Sequence, residues 1–227
     1  MISARLSRIG VTLALATICS WPSVRADVAD VDTTVYWDGV SAMGPFGVPN
    51  AATVGQTFMV DEETLLSGFA FFVDDSYDYW GHFLTFGAYV MAWDGAKATG
   101  DVLFEGGPYT TSNNGGEDGF EEFAADTEEL FLAPGDYVAF FSASWYFGQP
   151  PVQSMLGAIQ GDVYPGGMPV AIDNGMDFDL ITQQNWGAYG YVEHAFWLDF
   201  TPVPEPTTLS LASGLLVWIS AALRRTR

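Results

Sequence analysis

The sequence predicts an all-β body, a jelly-roll-like β-sandwich. Three observations carry that reading. Short runs rich in Val, Phe, Tyr and Trp recur between Thr53 and Thr201. Gly and Pro, 25 and 12 of the 227 residues, punctuate them. No stretch of the body repeats its apolar residues with a helical period.

The runs can be taken in order. Thr53–Asp61 and Leu65–Asp75 are β-rich and separated by a short acidic turn. Phe83–Asp94 is a long strand that ends in the turn DGAKATGD, and Asp101–Gly106 follows as a short one. Thr127–Tyr146 reads as strand, turn, strand. At its centre Pro134 fixes φ and Gly135 tolerates a positive φ, the requirements of a type II turn. His194–Thr201 supplies the last strand. Alternation along Tyr137–Trp145 puts Tyr137, Ala139, Phe141, Ala143 and Trp145 on a core face. The opposite face, from Val138 and Phe140 to Ser142, Ser144 and Tyr146, turns polar as at a rim.

Charge narrows the classes of partner. All 28 acids lie between Asp27 and Glu205, and Lys97 is the only base in that stretch. Phosphate backbones are repelled by such a surface, so nucleic acid is excluded as a partner, and anionic lipid likewise. Divalent cations, neutral glycans and cationic partners remain. The same charge also keeps an aromatic-rich exported protein soluble.

Both ends read as addresses rather than fold. Arg5 and Arg8 precede an apolar run from Ile9 to Ser20. Val24 and Ala26 then supply small residues before Asp27. Residues 1–26 are therefore expected to be a secretory signal, cleaved between Ala26 and Asp27. Ile18 before Cys19 does not suit a lipobox. Cleavage removes Cys19, the only cysteine, and leaves a body with no disulfide for an oxidising destination. At the other end Thr207–Leu223 is uncharged, near the lower length limit of a transmembrane helix. Arg224, Arg225 and Arg227 follow and would stay cytoplasmic, which places the acidic body outside.

Val203–Pro206 (VPEP), the apolar run and the terminal arginines, in that order, resemble the PEP-CTERM sorting signal of exported bacterial proteins. The resemblance covers residues 202–227 and leaves 27–201 as the extracellular sandwich. It implies an exosortase-type membrane processing enzyme as partner, with Pro204, Glu205 and Pro206 as the recognised element. It also implies transient anchoring in the inner membrane, followed by release to the cell surface or the exopolysaccharide matrix, as in a biofilm. A Pro-Glu-Pro segment resists helix and stays extended, which suits a protease-like cleft. The body's layout is also similar, more loosely, to jelly-roll-like domains of other PEP-CTERM proteins, which implies a sandwich but no activity.

Chemistry leaves little trace, and the reading is non-enzymatic. There is no G-x-S-x-G elbow and no H-E-x-x-H helix. His82 and His194 sit beside aromatics and read as packing or surface residues. The pairs Glu62-Glu63, Glu121-Glu122 and Glu128-Glu129 would point to opposite faces of a strand, so none is a ready acid/base couple. A glycosidase built from distant acids stays open. No cofactor is required, although calcium is a candidate: Asp173, Asn174, Asp177 and Asp179 offer hard oxygens on a Gly-containing turn. A plain solvated turn is the competing reading, and Asn113–Glu122 is a second such loop. The alternative function is a carbohydrate-binding module or adhesin, calcium-dependent or not, with polysaccharide as partner. Its candidate platforms are Tyr79 and Trp80, with Tyr77, in one loop and Trp186 and Tyr189, with Tyr191, in another. Against it stands the reading that these rings fold back onto the core edge.

Overall fold

A computed structural model describes residues 30–47, 49–75, 82–112, 119–146 and 152–203. The expected signal peptide with its Ala26–Asp27 junction lies outside the described residues. So do Tyr77, Tyr79, Trp80, the Pro204–Pro206 triplet and the terminal arginines. Among the described residues no helix is long and apolar enough to cross a membrane.

Thirteen strands and one short helix make up the described body. In chain order they are β1 (Val31–Asp32), β2 (Ala42–Gly47), β3 (Thr53–Val60), β4 (Thr64–Asp74), β5 (Thr85–Trp93), β6 (Ala98–Thr110), β7 (Glu121–Leu132) and β8 (Gly135–Ser142). After them come β9 (Gln153–Gln160), β10 (Pro169–Ile172), helix α1 (Leu180–Gln183), β11 (Gly187–Ala188), β12 (Val192–His194) and β13 (Phe196–Pro202). They form two antiparallel sheets, an all-β sandwich.

In the seven-stranded sheet β7 pairs along one edge of β4, while β13 and then β9 pair along the other. β1 flanks β13, and β2 and β12 pair with β9. The six-stranded sheet runs β11-β10-β3-β8-β5-β6. Between the sheets lies a core rich in phenylalanine, with Phe46, Phe58, Phe69, Phe71, Phe86, Phe141 and Phe196 all buried. Each such ring removed from water contributes roughly 1.5–3 kcal/mol, as do the buried Leu, Val and Met side chains packed among them.

Several expectations change on contact with the structure. The strand expected at Asp101–Gly106 runs from Ala98 to Thr110, because its pairing with β5 continues past three glycines. The last strand is two, β12 and β13, separated at Ala195. Gly135 is not in a positive-φ conformation. It opens β8 as an extended residue opposite Val60, so the Pro134-Gly135 turn is not of type II. Glu128 and Glu129 are both left-handed, with φ of 53° and 58°. They lie in a bulge where the β4–β7 register shifts between Leu66 and Gly68, so strand alternation does not govern that pair.

The second face of β8 is not a rim. Val138 and Phe140 are buried in a separate cluster with Tyr89, Met91, Phe178, Ile181 and Trp186. This cluster covers the outer face of the six-stranded sheet.

Candidate functional site

The outer cluster exists because the segment from Asp173 to Trp186 is strapped across the sheet. Asn174 pins one end. Its Oδ1 accepts a hydrogen bond from Thr53 Oγ1 at 2.8 Å, and its Nδ2 donates to Ser144 Oγ at 2.7 Å and to the Asp177 carbonyl at 3.1 Å. Trp186 pins the other end: its backbone N–H donates to the Ala96 carbonyl and its Nε1 to the Ile181 carbonyl, both at 2.9 Å. Between the pins Phe178 and Ile181 are buried against the sheet.

Beside this strap the sheet carries one row of side chains on its outer face. Cross-strand register places Glu105 opposite Tyr89, Tyr89 opposite Phe140, and Phe140 opposite Gly55. Gly55 has to lack a side chain, because a Cβ there would stand 2.6 Å from the Cβ of Phe140. The Tyr89 ring stacks on Phe140 at 5.2 Å and meets Phe178 at 4.9 Å.

Where strap, β5 and β6 meet there is a cavity of about 360 Å³. Tyr89, Met91, Trp145, Phe178 and Ile181 form its apolar wall, and Asp101, Glu105, Asp179 and Thr182 supply polar groups. The volume lies within the range of small-ligand clefts. Trp145 is 62% exposed, and its ring stacks on Phe178. Burial, with the Glu105 charge beside it, pushes the Tyr89 phenol up, so it stays neutral. Lys97 is the only lysine or arginine among the described residues, and it does not line the cleft.

The sequence candidates are distributed differently. Trp145, assigned to the core face by alternation, is carried outward by a 3-10 turn at Ser144–Tyr146 once β8 has ended. Trp186, proposed as a sugar platform, is buried edge-on against Trp93 and Phe140. Tyr189 is half-buried against the main core, and Tyr191 is fully in solvent. Of the calcium candidates, Asp173 is exposed and Asn174 is turned inward, its oxygen committed to Thr53. Asp177 accepts the Asp179 N–H, and Asp179 reaches the cleft. Among the described residues no three His, Cys, Asp or Glu side chains come together as a metal-holding group.

Sequence reasoning missed Asp101, Glu105, Trp145 and Thr182. Asp101 lies where the β5–β6 register shifts between Val90 and Ala92, so strand alternation carries no signal that it joins Glu105 at the cleft. Trp145 could be found only by locating the end of β8.

A second polar group lies inside the sandwich. Glu193 is buried, and burial holds its carboxyl up to about 7, with the Gln56 side chain pulling down and the Asp162 charge pushing up. Glu193 Oε1 and Gln56 Oε1 make no hydrogen bond to another group. His194 is buried edge-on against Phe71, and burial pulls its imidazole down to about 3 against a weak opposing pull from the Gly55 backbone. Neither residue lines the Trp145 cleft. Comparison with known proteins found no family model and no curated sequence that matches the chain.

Proposed function

We propose that this is an exported, non-enzymatic protein, sorted by an exosortase-type system to the cell surface or exopolysaccharide matrix, where its sandwich serves a structural or interaction role. The observation that carries the reading is the succession of three sequence features: Pro204-Glu205-Pro206, the uncharged run Thr207–Leu223, then Arg224, Arg225 and Arg227. The fold is compatible with it. Asp30 Oδ1 accepts the Phe200 N–H at 2.8 Å, so the chain enters and leaves the body side by side. A body of that form can leave a signal peptidase at one end and hang from a membrane tail at the other. The two-sheet architecture supports a jelly-roll-like kinship for the delivered domain.

Replacing Pro204-Glu205-Pro206 by alanines tests the sorting. The variant should stay in the inner-membrane fraction with its tail intact. Release equal to that of the unaltered protein refutes the reading.

A second reading, carbohydrate binding, is favoured by one observation. The exposed Trp145 ring stands at a cleft edged with carboxylates, the pairing of flat apolar face and hydrogen-bond acceptors that a sugar ring uses.

A further inference from the structure

We infer that the Trp145 cleft takes an amine-bearing sugar, a hexosamine unit with its amino group free. The inference rests on the carbohydrate-binding reading above and narrows it.

The first argument is the aromatic wall. Trp145 stacks on Phe178 with planes 26° apart, and Phe178 in turn contacts Tyr89 at 4.9 Å. One face of the indole is thus braced by the protein and held at a fixed angle, while most of the side chain stays in solvent. A braced, exposed indole gives a sugar ring a flat surface at little entropic cost. The same wall attracts a cation, because the faces of Trp and Tyr carry negative charge density.

The second argument is charge complementarity. Asp101, Glu105 and Asp179 come from two separate elements, β6 and the strap, and converge on this one cavity. Among the described residues no basic side chain lines the cavity. A neutral sugar would leave these carboxylates paired only with its hydroxyls. A protonated amine answers both the carboxylates and the rings. An acidic sugar is repelled. The volume of about 360 Å³ admits one ring with part of a neighbour, so the cleft reads a unit within a chain rather than a long stretch.

The whole body is acidic, and a long polycation would adhere to it anywhere. The test therefore uses short ligands on the purified full chain. Titration calorimetry at near-physiological ionic strength compares the glucosamine trimer, the N-acetylglucosamine trimer, cellotriose and the lysine trimer. The glucosamine trimer should bind at one site and at least about tenfold more tightly than the other three. Trp145→Ala and the double variant Asp101→Asn, Glu105→Gln should each reduce that affinity by about tenfold or more. Tyr36→Ala, an exposed aromatic outside the cleft, should leave it unchanged. Equal binding of the acetylated trimer or cellotriose, untouched by the double variant, overturns the amine requirement. Equal binding of the lysine trimer overturns the sugar requirement. No binding of any ligand by a chain that melts cooperatively overturns the site. Sorting is read separately by fractionation, so either claim can fail without the other.

Discussion

The indole of Trp145 lies against the ring of Phe178, centroids 5.3 Å apart and planes 26° from parallel. Trp145 is mostly in solvent while Phe178 is buried, so the pair joins the surface of the cleft to its support. The two substitutions should therefore separate. Phe178→Ala empties the outer cluster and should cost ~3 kcal/mol in urea unfolding. Trp145→Ala should cost less than ~1 kcal/mol, since it creates no cavity. Comparable losses for both would mean that Trp145 is a packing residue.

Asn174 is the pin of the strap. Asn174→Ala removes three hydrogen bonds and leaves the buried Thr53 and Ser144 hydroxyls short of partners. A loss of ~2 kcal/mol is expected, whereas Asp173→Ala on the exposed side should stay within ~0.5 kcal/mol. Thermal melts of the two variants check the contrast.

Glu193 makes stability depend on pH in an unusual direction. Its carboxyl titrates near 7 when folded and near 4.5 when unfolded, so the folded state binds the extra proton between those values. That stabilisation is present at low pH and is lost as pH rises toward 7. Glu193→Gln keeps the side chain's size and polarity but cannot ionise. It should be more stable than the parent at pH 8, with solvent screening holding the gain to ~1–2 kcal/mol. The two should converge below pH 4.5. A constant difference across pH would contradict the assignment.

His194 acts oppositely. Its imidazole is neutral in the core down to about 3, but the unfolded chain takes up a proton below 6.5. Stability is therefore lost as pH falls through that window. His194→Leu should flatten the acid side of the profile, seen as a higher melting temperature at pH 4 than the parent's. Between 4.5 and 6.5 the Glu193 and His194 slopes oppose and largely cancel in the parent, so each single variant should uncover the other group's slope there.

Much of the sandwich was legible because its strands announce themselves. Thr53–Asp61 and Leu65–Asp75 coincide within a residue with β3 and β4, whose Val, Phe and Leu residues alternate into the core. β2 and β9 were not legible. Ala42–Gly47 is short and holds two glycines and a proline, Gln153–Gln160 holds a glycine and ends in glutamine at both sides, and their strand character comes from pairing with each other and, for β9, with β4 and β12. The cleft was hidden for a related reason. Alternation was carried past Ser142, where β8 stops, so Trp145 was placed inside. Trp186 stands among polar residues, where a sugar platform and a ring folded back onto the core edge read alike, and only Trp93 and Phe140 from distant strands decide between them by enclosing it. Which face of a strap is covered is decided by what it lies on, and local sequence does not contain that.

The central claim is export followed by removal of the tail. Intact-mass measurement of the protein recovered outside the inner membrane of its host tests it most directly. The account predicts a chain that begins at Asp27 and lacks Arg224, Arg225 and Arg227. A mass that retains the full tail to Arg227, or a protein found only in the cytoplasm with residues 1–26 still attached, would contradict it.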